Sequence, residues 1–364
     1  MHFTCERDDL NAALSIVQKA LPTRTTLNTL EGVYMEAKEG HVCLRCCDLT
    51  LQIDSVISAQ VQEEGEMVLG KLLFEVVRHL PSGEMEIKAV SENTARLTSN
   101  RSKVTLQAMP CDDYPQLLQL RAANEVSLPC TVFKDMIKQT IFSVSTTDVR
   151  PILTGVLLEL TKEGVHMVAM DGYRLALRKY PMPCAQEAKL VIPAKSLNEI
   201  ARILGDEEDV KLMYGGGYAS VNVGDTTVCT QLFNGEYMNY RQLITGESQT
   251  RMIIERQAFL DSLERASVMA REAKNNLTKL GVKQDKLIIT SNSELGETYD
   301  EIPTTLVGHE LDIAFNVRFL TDVLKALPDE ELAFDFNTNT TPCLIRPKET
   351  DEFLYIVLPV RIYA

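Results

Sequence analysis

Several things are scarce in this 364-residue chain. No apolar run approaches the roughly 20 residues that a membrane-spanning helix needs. The opening stretch MHFTCERDD turns charged within six residues, so no secretory leader is expected. Positive charge is short as well: 37 Lys and Arg face 51 Asp and Glu, a net charge of −14. That argues against a protein holding nucleic acid by bulk attraction alone, while leaving room for a local basic surface. The usual furniture of catalysis is missing too, with no Ser or Cys elbow and no His pair at metal spacing. The glycine run YGGGY, Tyr214–Tyr218, lacks the following helix and lysine of a phosphate loop, and reads as a hairpin turn. Nine cysteines, an odd number without framework spacing, point to reduced thiols. One cluster, HVCLRCCD, brings His41, Cys43, Cys46 and Cys47 close in sequence. A structural zinc site needs a second ligand pair and none follows, so free thiols on a strand are expected.

What is present is a soluble, globular composition, 45% apolar and 24% charged, long enough for two or three domains. The chain also repeats itself. FTCERDDLNAAL, VSLPCTVFKDMI and MIIERQAFLDSL each read as a short strand running into an amphipathic helix. The i, i+4 pairs Leu10/Leu14, Phe133/Ile137 and Phe259/Leu263 mark the helical face. A second helix follows in each copy and stops at Leu80-Pro81, Leu204-Gly205 and Leu327-Pro328. From Leu80 to Leu204 is 124 residues and from Leu204 to Leu327 is 123. From Leu10 to Phe133 is 123 and from Phe133 to Phe259 is 126, so two sets of landmarks agree on one period.

Around these helices the pattern alternates as strands do. Residues 33–57, 156–180 and 280–302 read as hairpins about polar turns, and 219–233 and 343–360 as closing strands. The expected architecture is α+β, with three repeated domains over 1–122, 123–249 and 250–364. Sheets with open edges tend to continue into one another, and a fixed rotation between like modules either closes or grows. Three modules per chain suggest an arc completed by another copy. The dense acidic runs QEEGE, DEED and PDEE are expected at turns.

The stretch AMDGYRLA, with Asp171, Tyr173 and Arg174, is either a catalytic cluster or the lip of a binding cleft. The equivalent slots read CCDLTLQ and TSNSELGETYD in the other repeats. Asp171 is expected to bond the turn so that Tyr173 and Arg174 face the cleft.

The triple repeat, the DGYRLA element and the closing LPVR together resemble the bacterial DNA polymerase III β subunit family, over the whole length of the chain. The resemblance implies a head-to-tail homodimer forming a six-domain ring, helices inside, around double-stranded DNA. It implies a non-catalytic subunit of a DNA-directed DNA polymerase holoenzyme, a nucleotidyltransferase, cytoplasmic and without cofactor or metal. Its partners would be the polymerase catalytic subunit, an ATP-dependent clamp loader and repair or ligase-type proteins carrying a clamp-binding peptide.

By the same resemblance, that peptide enters a cleft between the second and third domains. The matching residues are Leu153, Gly172, Tyr173, Arg174, Leu175, Leu243, Asn316, Phe319, Thr340, Pro342, Ile356, Leu358, Pro359, Val360 and Arg361. Arg24 and Arg150 match rim loops that touch DNA, and Lys71, Lys134, Lys138, Lys195 and Arg202 are candidate DNA-facing cations. Lys19, Arg78, Arg265 and Lys325 join them on the expected helices. Val104 and Leu106 would meet Val268 and Met269 of the next copy at the ring seam. Many relatives carry histidine at Tyr173, proline at Met238 and a basic residue at Gln242, and here Ile362 and Tyr363 extend past the usual end. Those departures bear on which peptides bind. Two other functions compete: an enzyme using Asp171, Tyr173 and Arg174, and a protein scaffold with no role on DNA.

Overall fold

Six helices punctuate the chain among the described residues: α1 (Arg7–Val17), α2 (Leu72–His79), α3 (Cys130–Thr140), α4 (Ala194–Ile203), α5 (Arg256–Glu272) and α6 (Val317–Ala326). A computed structural model describes residues 1–112, 114–115, 120, 124–205, 209–244, 248–272 and 276–361. The expected boundary near 122, the acids Asp206, Glu207 and Glu208, and the terminal Ile362 and Tyr363 lie outside them. As the spacing predicts, strands His2–Glu6, Asn124–Pro129 and Thr250–Glu255 run directly into α1, α3 and α5.

The second helix of each repeat ends in the same way. Leu80, Leu204 and Leu327 donate a last helical bond to Val76, Ile200 and Val323 at 3.1, 2.9 and 3.2 Å. All three leucines are buried. Pro81 and Pro328 cannot donate the next bond, so α2 and α6 stop there. Helix faces follow the period: α1 buries Leu10, Ala13, Leu14 and Val17, and α6 buries Val317, Leu320, Val323 and Leu324.

Two compact units divide the chain, residues 1–133 with 195–232, and 134–194 with 233–364. Neither unit is one repeat; the second repeat contributes to both. In the first unit, strands Gly32–Lys38, His41–Cys47 and Leu51–Ser58 form an antiparallel meander. Strand Leu51–Ser58 then pairs with Thr226–Gln231, the closing strand of the second repeat, from Leu51↔Thr230 to Ser55↔Thr226. In the second unit the meander is Gly155–Leu160, Val165–Met170 and Arg174–Tyr180. Its last strand pairs with Phe353–Val357, the closing strand of the third repeat, from Arg174↔Val357 to Arg178↔Phe353. One joint is thus made twice: third strand of one repeat against closing strand of the next.

The corresponding strands left over are Gly296–Pro303 and Ser102–Met109. Gly296–Pro303 is the edge of a four-stranded sheet and, among the described residues, pairs only with Lys286–Ser293. Ser102–Met109 pairs along its length with Thr94–Ser99, but on its other side only Ala108 and Met109 meet a strand. Across Ser102–Gln107 that side has no strand partner among the described residues.

Some expectations shift. QEEGE (62–66) spans a break between strands: Gln62 and Glu63 end Gln60–Glu63, Glu64 lies between, and Gly65 and Glu66 open Gly65–Gly70. Gln60–Glu63 is a sheet edge, where charge discourages further pairing. Lys19 sits in the 3-10 turn after α1, and Lys71 caps α2 from outside. YGGGY is a hairpin turn, with Gly216 and Gly217 at φ +59° and +85°.

Phe259 is fully buried on α5 with its ring edge-on to Phe334, centroids 5.5 Å apart. Phe259→Ala should cost about 3–5 kcal/mol in urea unfolding; a loss under ~1 kcal/mol would contradict this packing.

Candidate functional site

The DGYRLA element begins with a turn that the sequence dictates. Asp171 Oδ1 accepts from the Tyr173 and Arg174 backbone N–H groups at 2.8 and 3.0 Å. Between them Gly172 sits at φ +95°, a conformation glycine takes without strain. In the first repeat Asp48 Oδ1 accepts from Thr50 and Leu51 at 3.0 and 2.7 Å, around Leu49 at φ +75°. In the third, Ser293 Oγ accepts from Leu295 at 3.2 Å. An acid or hydroxyl closing the turn before the joint strand is therefore a feature of all three repeats, and Asp171 is structural.

Arg174 departs from expectation. Its Nε donates to Asp171 at 3.0 Å, Nη1 to Asp322 at 2.5 Å and Nη2 to the Phe142 carbonyl at 2.5 Å. The guanidinium lies 4.5 Å from the Phe319 ring centroid. Burial alone would lower its pKa, but Tyr355, Asp322 and Asp171 together raise it. The side chain ties the joint strand to α6 instead of offering free donors to a ligand. In the first unit Lys195 on α4 pairs with Asp48, the same tie with its charges reversed.

The second unit brings most of the expected cleft residues to one place. Leu153, Leu175 and Ile356 are buried in a cluster with Met170, Leu177, Val191 and Tyr240, forming a floor. Tyr173 stands 65% exposed. Its ring stacks on Phe319 with centroids 6.5 Å apart. Leu358 donates its backbone N–H to Tyr173 O at 2.9 Å, and Val360 to Ala314 O at 2.8 Å, fixing the last strand's exit. Leu358 and Leu243 remain about 39% and 41% exposed. Thr340, Val360 and Arg361 line a hollow of about 160 Å³ with Asp312 and Asn339. Asn316 is occupied as the cap of α6, accepting from Arg318 N at 3.0 Å. Pro342 leads into strand Cys343–Pro347, half-buried. Exposed apolar groups over an apolar floor, with few polar atoms, suit an apolar peptide anchor better than a reacting substrate.

Beside this surface lies a buried charge that sequence reasoning passed over. Glu159 accepts from Tyr240 Oη at 2.8 Å and from Arg241 at 2.6 and 3.1 Å, with Lys189 Nζ 3.3 Å away. Burial would raise its pKa, but hydrogen bonds from Arg241 and Tyr240, with the nearby cations, hold it down at about 2. The sign was available in VLLELTKEG, where one acid interrupts an apolar strand.

The candidate DNA-facing cations are largely neutralised. Lys71 pairs with Glu31 at 3.2 Å, Arg202 with Glu199 at 2.9 Å and Lys19 with Glu199 at 3.5 Å. Arg265 pairs with Asp300 at 3.0 Å and Lys325 with Glu264 at 2.8 Å. Lys134 and Lys138 lie on α3. Arg24 and Arg150 are exposed on loops, Arg150 Nη1 3.9 Å from the Met238 sulfur. Of the seam residues, Val268 is 56% exposed, Val104 and Met269 are half-buried and Leu106 is already buried in one chain. Strand alternation puts Cys43 and Cys47 on one face of their sheet and Cys46 on the other. Burial raises all three thiols, Cys43 to about 11, so they stay protonated at neutral pH. No helix among the described residues is long and apolar enough to cross a membrane.

Three like α+β repeats, joined edge to edge and carrying an apolar cleft at a joint, define a repeat-built binding protein. Residues 1–118, 127–239 and 241–361 match the N-terminal, central and C-terminal domains of the DNA polymerase III beta subunit. The beta sliding clamp of Bacillus subtilis is 32% identical over 378 aligned residues, covering 100% of both chains. That of Staphylococcus aureus is 31% identical over 376, also covering 100% of both. Among solved structures, the Bacillus subtilis DNA polymerase sliding clamp superposes with a TM-score of 0.96 at 31% identity over 100% of both chains. A Pseudomonas aeruginosa sliding clamp bound to griselimycin gives 0.94 at 25% identity, again over 100% of both. The chain belongs to the DNA polymerase III beta subunit family.

Glu159 offers a pH test. Its folded pKa of about 2 lies below the ordinary 4.5, so its stabilisation is complete above about 4.5 and is lost as pH falls toward 2. The stability gap between the parent chain and Glu159→Gln in urea should be constant above pH 5 and narrow below pH 4. A gap indifferent to pH would contradict the assignment.

Proposed function

We propose that two copies of this chain close head to tail into a ring around double-stranded DNA and tether the replicative polymerase to it. One observation carries this reading: the joint is made twice within the chain, and among the described residues the two halves of a third instance lack strand partners. Strand Gly296–Pro303 of one copy is the counterpart, by repeat position, of strands that pair with a closing strand; Ser102–Met109 of another copy is a closing strand with an open side. The first carries Glu297, Asp300 and Glu301, the second Lys103 with Arg101 just before it, so their charges complement. Val268 and Met269 on α5 would meet Val104 there, with Leu106 backing the strand.

On this reading the domains are 1–122, 123–249 and 250–364. A ring holds DNA by topology, so strong ionic contacts are unnecessary and would oppose sliding. The ion pairs on Lys71, Lys195 and Arg202 suit that; Arg24, Arg150, Lys134 and Lys138 would make sequence-independent phosphate contacts. The chain supplies no chemistry of its own; it is the non-catalytic subunit of a polymerase holoenzyme working in the cytoplasm. An ATP-dependent loader would open the ring. The cleft of Tyr173, Phe319, Leu243 and Leu358 would take the anchor of a polymerase peptide, and of repair or ligase-type proteins with the same motif.

Loaded onto a nicked circular plasmid, the protein should be retained at high salt and released when the plasmid is linearised. Equal retention on both forms would refute encirclement. Tyr173→Ala and Leu358→Ala should each weaken an apolar-anchored peptide by about 1–3 kcal/mol in fluorescence anisotropy. Unchanged binding by both would place the peptide elsewhere.

A further inference from the structure

We infer that Glu159 is a positioning residue for the peptide cleft: its buried carboxylate, through Tyr240 and Arg241, holds segment 233–244 so that Met238 and Leu243 form the cleft's rim. This rests on the peptide-binding reading of the cleft.

Segment 233–244 contains no strand, only the 3-10 turn Tyr240–Leu243. Beside it is an open hollow of about 580 Å³ lined in part by Leu157, Glu159, Val191, Phe233 and Tyr237. Phe233, Tyr237, Tyr240 and Ile244 pack into the apolar cluster of Leu153, Leu157 and Val191, and discrete polar pins add a fixed register to that packing. Phe233 N donates to Val191 O at 2.9 Å, and Tyr237 Oη reaches Gly155 O at 3.5 Å. The strongest pin is Glu159, 3% exposed, with the bidentate Arg241 pair and the Tyr240 hydroxyl. Arg241 also lies over the Tyr240 ring, 4.9 Å from its centroid, so the two act as one block.

The register explains why the carboxylate is held there. On neighbouring strands Glu159 faces His166 on one side and Lys189 on the other. A buried acid is costly unless its partners are in place, so the sheet presents one fixed acceptor and the segment must bring its donors to it. Met238 and Leu243, both exposed, flank the Tyr240-Arg241 block by two residues on either side. Their positions are set by that block. Glu159 meets the cleft through Tyr240, which the segment brings into its floor.

The test uses the full-length chain and a fluorescein-labelled decapeptide bearing a leucine–phenylalanine pair. Glu159→Gln should weaken peptide binding roughly tenfold, and Tyr240→Phe, which keeps the ring and removes only the hydroxyl, a few-fold, with retention on nicked circular DNA unchanged in both. The chain has no tryptophan, so Gln242→Trp gives a single emission from the segment. Adding Glu159→Gln should shift that emission to the red and raise its quenching by iodide. Ile289→Val, in the core beneath α5, should lower the melting temperature while leaving peptide affinity and emission as they were. Peptide affinity unchanged in Glu159→Gln and Tyr240→Phe, with Tyr173→Ala still weakening it, would overturn the positioning role alone. A parent chain that keeps DNA but ignores the peptide would overturn the cleft reading and this inference with it.

Discussion

A β-strand with a neighbour on one side carries a row of backbone N–H and C=O groups on the other that must find partners or remain in water. This chain meets that demand by repetition. The third strand of the first repeat is covered by the closing strand of the second, and the third strand of the second by the closing strand of the third. Each join is antiparallel and follows a side-chain-capped turn. Among the described residues one instance of each half is left open. By repeat position, the open closing strand of one copy and the open meander strand of another complete each other, a heterologous contact whose closure is a ring. The alternatives are water along a long exposed edge or an open filament, and both work against solubility.

The same joint places the cleft. Because Asp171 caps the turn entering the joint strand, Tyr173 is pushed outward while Arg174 is drawn onto Asp322 and the Phe142 carbonyl. Phe319, one turn before Asp322 on α6, lies between the Arg174 guanidinium and the Tyr173 ring. The exposed aromatic thus stands beside a half-buried ion pair. Charge follows a similar economy elsewhere: the chain carries a net −14, yet Lys71, Lys195, Arg202 and Lys325 are paired with carboxylates beside them. Such a surface attracts phosphate weakly, which is compatible with motion along DNA and leaves confinement to geometry.

Much of this was legible in the sequence because it rests on local rules. The period showed through Leu80, Leu204 and Leu327, where a proline or glycine ends a helix that has just buried its last leucine. The hairpins showed through alternation, and the Asp171 turn through its Asp-Gly pair. What could not be read depended on contacts distant in sequence. Arg174 meets Asp322 across 148 positions, and nothing in DGYRLA reveals that its arginine is already taken. Leu153, Leu175 and Ile356 match cleft positions but lie buried in the apolar cluster, Leu153 from a 3-10 turn and the other two from strands covered on both faces. QEEGE spans the break between two strands, and the edge strand on one side of it tolerates the charge. Glu159 stood in plain sight as the one acid in VLLEL, and only its partners from segment 233–244 give it meaning.

The claim on which everything else depends is that the two open strands complete each other in a second copy. Light scattering across a dilution series tests it most directly. The account predicts a mass near twice that of one chain at micromolar concentration, falling toward one chain when Lys103 and Arg101 are changed to glutamate so that like charges face each other across the join. A single-chain mass at every concentration, or aggregates growing without limit, would contradict it.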